Sequence, residues 1–309
     1  MSADRAGRVV VVGSLVMDIV VRLSRRPVAG ETVVGKDVGL YLGGKGFNQA
    51  VAARRAGAEV SMIGRLGRDP FGEPFFAALD REGIERSGVQ VDDTAGTGVA
   101  IPMIDESGEN SIVVVPRANL SLMPEQIAGS LEQLRSASVL LVQLESSPAA
   151  SAAAARLARE AGALVLWNTA PIGEIPVELF SLAEIVIANE LEATALTGRR
   201  VTDAASATAA AVAIRTRGAA VGIITLGERG LVAATGTGLI VLPAHSVEAV
   251  DTTGAGDAFC GALAAELARG ASLEAALRFA NAAGALAVTK LGAEPSLPRR
   301  AEVVALLGG

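Results

Sequence analysis

The sequence predicts an α/β fold in which a mainly parallel sheet is covered by helices on both faces, a three-layer α/β/α arrangement. Two observations carry this reading. Short β-branched runs alternate with longer Ala-rich stretches, the rhythm of repeated βαβ units. Half of the residues are hydrophobic but only 3% are aromatic, so the core has to be built from Ala, Val, Leu and Ile, which suits a buried sheet under small-residue helices. The 309 residues fit one large domain, residues 1–309, with strands inserted into it.

Core strands are expected at Arg8–Val12, Val60–Gly64, Val139–Val142, Ala163–Trp167, Glu184–Ala188 and Val221–Leu226. Helices are expected at Pro148–Ala161, Thr202–Thr216, Ala258–Arg269 and Ser272–Val288. The apolar run from Val9 to Val21 is interrupted by Ser14 and Asp18 and followed by Arg22. It therefore reads as a buried first strand, not as a leader or a membrane span. No repeat is visible that would indicate a solenoid or propeller.

Two regions break the βαβ rhythm, at about 18–42 and 97–117. Asp18–Leu23 and Thr32–Leu42 alternate apolar and polar residues around the turn Pro27–Gly30, and Gly98–Ile104 and Ser111–Pro116 flank a turn at Asp105–Asn110. Period-two alternation marks strands with one wet face. Two readings are open: a small antiparallel sheet lying over the main one as a lid, or surface hairpins without a role.

The net charge of −6 argues against a nucleic-acid or anionic-membrane surface, which needs clustered Lys and Arg. A small-molecule partner is the better expectation. Cys260 is the only cysteine, so neither an intrachain disulfide nor a cysteine metal site can form, as expected of a cytoplasmic protein. His245 is the only histidine, and no motif surrounds it.

Two glycine-rich loops carry candidate chemistry. The stretch GLYLGGKG at 39–46 comes within one residue of a phosphate-binding P-loop, with Gly46 in place of Ser or Thr. A P-loop follows the first strand directly, whereas this one comes after the expected lid strands. Gly43, Gly44 and Gly46 allow close backbone approach, and Lys45 and Asn48 offer directed hydrogen bonds beside a helix start. That mixture suits a polyhydroxylated ligand, with a purely structural turn as the alternative. The second loop, Asp251-Thr-Thr-Gly-Ala-Gly-Asp257, leads into an Ala-rich helix. Gly254, Ala255 and Gly256 expose orphan N–H groups at its positive end, a ready site for phosphate. Asp257 there either complements the helix dipole or accepts a hydroxyl proton during phosphoryl transfer.

In order along the chain stand Gly13-Ser14 with Asp18, GGKGFNQA at 43–50, Gln143-Leu-Glu145, Asn189-Glu-Leu-Glu192, Thr225-Leu-Gly-Glu-Arg-Gly230, DTTGAGD at 251–257, and Gly292-Ala293 with Ser296. These motifs resemble the ribokinase family, the PfkB-type carbohydrate kinases, over nearly the whole chain. The resemblance implies a Rossmann-like kinase domain with a β-sheet lid that also pairs two subunits as a homodimer. It implies an ATP-dependent sugar kinase with Asp257 as general base and the N–H groups of 254–257 as anion hole. Asp18, Gly44, Lys45, Gly46, Asn48 and Glu145, with Val16, match sugar-binding positions. Asn189 and Glu192 match a motif associated with Mg²⁺-bound phosphates. Thr225, Gly227 and Gly230 match positions lining the nucleotide, and Asn281 matches an adenine contact. Asp251, Thr253, Ala287, Lys290, Gly292 and Ser296 match a monovalent-cation site, so K⁺ activation is implied.

The chain departs from that pattern at three places. Val16 stands where the family usually has Asn, Phe47 where it usually has a small residue, and Arg117 where it usually has Gly. Val16 and Phe47 are thus expected to bear on which sugar fits. Arg117 either points into the cleft, favouring an acidic sugar, or is an ordinary solvated charge. Ribose or a related furanose is the first expectation. A keto-sugar, a keto-deoxy acid or a nucleoside is the alternative, and a non-catalytic sugar or nucleotide sensor is the alternative of another class.

Overall fold

A computed structural model describes residues 7–106, 110–173, 175 and 177–308. Part of the turn expected at Asp105–Asn110, residues 107–109, lies outside the described residues. The N-terminal half runs β1 (Arg8–Val12), β2 (Val16–Arg22), β3 (Asp37–Gly43), α1 (Lys45–Arg55), β4 (Glu59–Gly67), α2 (Glu73–Glu82), β5 (Glu85–Asp92), β6 (Gly98–Ile104), β7 (Asn110–Val115), α3 (Pro124–Ala128), α4 (Leu131–Ser136) and β8 (Val139–Val142). It continues with α5 (Pro148–Glu160), β9 (Leu164–Asn168), α6 (Val177–Leu182), β10 (Ile185–Asn189), α7 (Glu190–Thr197), α8 (Ala204–Thr216), β11 (Val221–Thr225), β12 (Leu231–Ala234), β13 (Leu239–Leu242), α9 (Ala255–Ala268), α10 (Leu273–Ala287) and α11 (Arg300–Gly308).

The main sheet has nine strands in the order β13-β12-β11-β10-β9-β8-β1-β4-β5. All pairings from β5 to β11 are parallel, and β12 and β13 add antiparallel at one edge. The valines of β1 show how the layers arise. Val9 and Val11 enter one core with α1, α2, α9, α10 and α11, whereas Val10 and Val12 enter the opposite core with α3 to α8. A strand buried on both faces has to be apolar throughout, which is why the run is continuous. Strands β5, β12 and β13 and helix α2 were not among the expected elements. β5 (ERSGVQVD) and β13, with its exposed Leu239 and Val241, lie at sheet edges, where the apolar run is diluted.

The lid exists as a second sheet of order β3-β2-β6-β7, but it is not wholly antiparallel as expected. Its central pair, β2 and β6, is parallel. Each of these strands continues from the carboxyl end of a parallel main-sheet strand, β1 and β5, so both leave the sheet in the same direction. Val16, Asp18, Val20 and Arg22, alternate residues of β2, face one cavity under the lid.

Helices α1 and α9 cross closely. A Cβ added at Gly261 would lie 2.5 Å from Ala52 Cβ and 2.6 Å from the Gln49 carbonyl, so only glycine admits this approach. That crossing brings the first turn of α9 beside the first two turns of α1. Among the described residues no helix is long and apolar enough to cross a membrane.

Candidate active site

Two cavities open at the carboxyl ends of the parallel strands, where ligands bind in open α/β sheets. The first, of about 350 Å³, lies under the lid and is lined by Val16, Asp18, Lys45, Asn48, Glu145 and Asp257, among others. The second, of about 210 Å³, is lined by Asn168, Asn189, Glu192, Thr225 and Gly256. Lys45, Gly254 and Asp257 line both. The two spaces therefore meet at the start of α9.

Gly254 caps α9 with φ 80°, in the left-handed region, and its added Cβ would come within 3.1 Å of Ala293 Cα. At Gly256 an added Cβ meets nothing within 4 Å, so that position faces open space. The N–H groups of Gly256 and Asp257 have no acceptor among the described residues. Free donors at a helix start form an anion site.

The first turn of α1 looks similar in sequence and is wired differently. The Lys45 N–H donates to Glu145 Oε2 at 2.9 Å, the Gly46 N–H to Ser14 Oγ at 3.3 Å and the Phe47 N–H to the Ser14 carbonyl at 2.9 Å. Ser14 Oγ donates in turn to Glu145 Oε2 at 2.7 Å. A Cβ at Gly46 would sit 2.5 Å from Ser14 N. The helix start after the GGKG loop thus spends the N–H groups of Lys45, Gly46 and Phe47 on the protein itself.

Asp257 is 7% exposed. Asn48 Nδ2 donates to its Oδ2 at 3.1 Å, and Gln49 Nε2 to its Oδ1 at 2.9 Å. Burial raises its pKa above the ordinary carboxylate value, opposed by the charge of Lys45 and by the two amide hydrogen bonds. Burial likewise disfavours the Lys45 ammonium, but Asp257, Glu145 and Glu192 more than compensate and keep it charged. Asp18 is pushed up to about 7 by burial, then by the neighbouring charges of Glu145 and Asp257.

Asn189 and Glu192 form a capping box on α7. Asn189 Oδ1 accepts the Glu192 N–H at 2.8 Å, and Glu192 Oε2 accepts the Asn189 N–H at 2.9 Å. Glu192 also accepts from Asn189 Nδ2 at 2.9 Å. Its pKa is raised, chiefly by burial. The pair is thereby fixed at the rim of the second cavity.

A model of the pfkB family of carbohydrate kinases matches residues 6–300. Mouse ribokinase is 38% identical over 97% of this chain and 94% of its own length. Ribokinase of Haemophilus influenzae is 37% identical over 96% of this chain and 97% of its own. The structure of Arabidopsis thaliana ribokinase complexed with ribose and ATP superposes with a TM-score of 0.93, at 34% identity, covering 98% of this chain and 99% of that one. The chain belongs to the pfkB family of carbohydrate kinases.

The remaining family positions divide by where they lie. Thr225 lines the second cavity. Gly227 leaves open space at its Cβ position, whereas a Cβ at Gly230 would lie 2.0 Å from the Leu242 carbonyl, so Gly230 admits a close strand approach. Asn281 donates to the Pro243 carbonyl at 2.7 Å and lines neither cavity. Asp251 ties the cation-loop residues together. Its Oδ1 accepts the N–H and hydroxyl of Thr253 at 2.9 and 2.6 Å, and its Oδ2 accepts the Gly292 N–H at 2.9 Å. Burial opposes the charge on Asp251, but these hydrogen bonds outweigh it and lower its pKa. Ser296 is buried and donates to the Ala293 carbonyl, and the Ala287 carbonyl accepts the Lys290 N–H at 3.3 Å. The Lys290 ammonium pairs with Glu302 at 2.7 Å.

One expectation is overturned, and one of two open readings drops out. Phe47 does not face the sugar-side cavity; it is fully buried in the core edge-on to Phe75, with ring centroids 5.1 Å apart. The helix start places residue 47 toward α2, opposite to Asn48. Arg117 does not enter the cleft either. Its Nη1 donates to the Thr97 carbonyl at 3.1 Å, its guanidinium lies over Gly96, and it lines neither cavity. Sequence reasoning missed Gln49, Gln143 and Asn168 as parts of the site. Gln49 lay inside the quoted GGKGFNQA motif, but nothing local shows that its amide reaches Asp257.

The pKa of Asp18 gives a signed test. Between 3.8 and about 7 the folded protein holds a proton at Asp18 that the unfolded chain has released. Stability therefore falls as pH rises through that window, by at most about 1.4 kcal/mol per pH unit. Asp18→Asn removes this contribution, and thermal melting at pH 5 and pH 8 is expected to show a smaller difference in the variant than in the parent protein. An equal difference overturns the assignment.

Proposed function

We propose that this chain is an ATP-dependent ribose kinase, with the sugar under the lid and the nucleotide in the second cavity. The observation that carries the reading is the place of Asp257, a buried carboxylate lining both cavities beside two unengaged N–H groups. Phosphoryl transfer needs in-line placement, charge stabilisation and a proton acceptor, and all three converge there. The similarity to ribokinases, one of them solved with ribose and ATP, supports the choice of both substrates.

Asp257 takes the proton of the sugar's hydroxymethyl group as that oxygen bonds to the γ-phosphorus. The bond from phosphorus to the bridging oxygen breaks, and ADP leaves with the electron pair. The N–H groups of Gly256 and Asp257 donate to the oxygens of the transferring group, and the Lys45 ammonium, held charged by its carboxylate neighbours, adds to the positive field. Asp18 and Asn48 hold the sugar; the buried Asn48 Oδ1 has no partner among the described residues and is free to accept a sugar hydroxyl. Glu145 acts at one remove, fixing the loop through Lys45 N–H and Ser14.

The second cavity fits a Mg²⁺-linked nucleotide. Gly256 leaves room for phosphate, and Glu192 and Asp257 are its lining carboxylates. Among the described residues no cluster of three His, Cys, Asp or Glu is placed to hold an ion, in keeping with a Mg²⁺ that draws its ligands mainly from phosphates and water. When bound, the ion neutralises phosphate charge. Asn189 and Glu192 would face it, with Thr225 toward the nucleoside.

ADP release measured across pentoses, hexoses, keto-deoxy acids and nucleosides tests this reading. Ribose is expected to be the best acceptor, and Asp257→Asn is expected to lose turnover by roughly a hundredfold or more while still binding nucleotide. Full turnover in that variant, or a nucleoside as the best acceptor, overturns it. We also propose a monovalent-cation site between the loops of Asp251 and Thr253 and of Ala287 to Ser296, supported by the tie from Asp251 to Gly292. Rates in K⁺ are then expected to exceed those in Na⁺ at equal ionic strength, and equal rates refute the site. Finally, we propose a homodimer through the lid. Val38, Leu40, Val113 and Val115 sit exposed on its outer face, an apolar surface of the kind that marks an interface. Sedimentation at twice the chain mass is expected, and a monomer refutes it.

A further inference from the structure

Behind Asp257 lies a chain of amides that none of the assigned roles uses. Gln143, just after β8, donates through Nε2 to Gln49 Oε1 at 2.7 Å. Gln49, in the first turns of α1, donates through its own Nε2 to Asp257 Oδ1 at 2.9 Å and to Asn168 Oδ1 at 3.1 Å. Gln49 is fully buried, Gln143 is 1% and Asn168 8% exposed. Neither Gln49 nor Gln143 lines either cavity.

The direction of the chain matters. A carboxylate only accepts hydrogen bonds, so Asp257 has to be met by the NH₂ side of Gln49. The amide of Gln49 can be turned that way only if its carbonyl side finds a donor behind it, and Gln143 supplies one. Asn168 Oδ1 accepts from the same NH₂ group, which favours the same orientation. Each member thus dictates the orientation of the next. A core-filling role would be served equally well by leucine or methionine at these buried positions.

We propose that Gln49, oriented by Gln143, is a positioning residue for the general base: it fixes the rotation of the Asp257 carboxylate and holds it ionised at the junction of the two cavities. The inference rests on the reading of Asp257 as the base. Asn48 grips the other oxygen at 3.1 Å but lines the sugar-side cavity, where it also meets substrate. Gln49 meets none, so its effect reaches the reaction only through Asp257. Without its donor the carboxylate keeps its burial and loses a hydrogen bond to the charged form, which shifts ionisation to higher pH.

The test uses the full chain and the pH profile of kcat with ribose and ATP. Gln49→Leu is expected to lower kcat roughly ten- to a hundredfold, as loss of one hydrogen bond to a charged group does. It should move the acidic limb of the profile upward by about half a pH unit or more and leave KM for both substrates within about twofold. Gln143→Leu, which leaves Gln49 in place but unanchored, is expected to shift the limb in the same direction by less, and Gln49→Asn, with a shorter amide, to recover part of the activity. If Gln49→Leu does not fold, the Gln143→Leu profile decides. An unshifted acidic limb, or a loss expressed in KM, overturns the positioning role. Asp257→Asn in the same assay separates the two claims: a dead Asp257→Asn with an unmoved Gln49→Leu profile refutes only the positioning role, whereas an active Asp257→Asn refutes the base and with it this inference.

Discussion

A single buried carboxylate sets the terms for the rest of the molecule. Taking Asp257 out of water without partners would cost far more than a domain's whole stability can bear, so it has to be hydrogen-bonded and faced by positive charge. The fold meets that need from three directions: amides from α1, the Lys45 ammonium, and the positive end of α9 on which Asp257 itself stands. For the amides to reach, α1 and α9 have to cross at very short distance. Gly261 against Ala52 provides it, and the alanine-rich composition of both helices follows from the same demand.

The two glycine-rich loops show why residue type alone does not identify an anion site. Both precede a helix, both have glycine in the left-handed region, at Gly44 and Gly254, and the one with the lysine looks more like a phosphate loop. What separates them is occupancy. At α1 the carboxylate of Glu145 and the hydroxyl and carbonyl of Ser14 already consume the first-turn donors, so the loop carries its own internal anion. At α9 no side chain of the described residues does this. The near-match of GLYLGGKG to a P-loop is a coincidence of glycine spacing.

The central strands were legible because burial on both faces writes itself as an uninterrupted apolar run: β1 and β8 match their expected bounds in full. The edge strands β5 and β13 were not, since one exposed flank breaks that pattern. The lid was visible as period-two alternation, but the parallel pairing of β2 with β6 depends on where each strand leaves the main sheet, which no local pattern records. Within the site, Asp257, Lys45 and Asn48 were readable from their motifs. Phe47 was misjudged as a specificity residue because a departure from a family pattern says nothing about which way a side chain points, and for the same reason Arg117 was left with two readings. Gln49 was missed because its partner lies 208 residues away.

Helix α1 joins two duties that are often divided among separate elements. Its first turn forms the edge of the sugar-side cavity through Gly44, Lys45 and Asn48, and the residue after Asn48 holds the base. A shift of α1 by a fraction of an ångström would move the sugar together with the amides that grip the Asp257 carboxylate, while Asp257 itself and the N–H donors stay in place on α9. Selectivity and rate are then coupled mechanically, and a wrong sugar that displaces α1 is penalised in turnover as well as in binding. The bonds that hold the start of α1 in place, from Ser14 and Glu145, sit at the ends of β1 and β8, two neighbouring central strands of the sheet. The main sheet, through these bonds, thereby fixes where the reacting oxygen meets the phosphate.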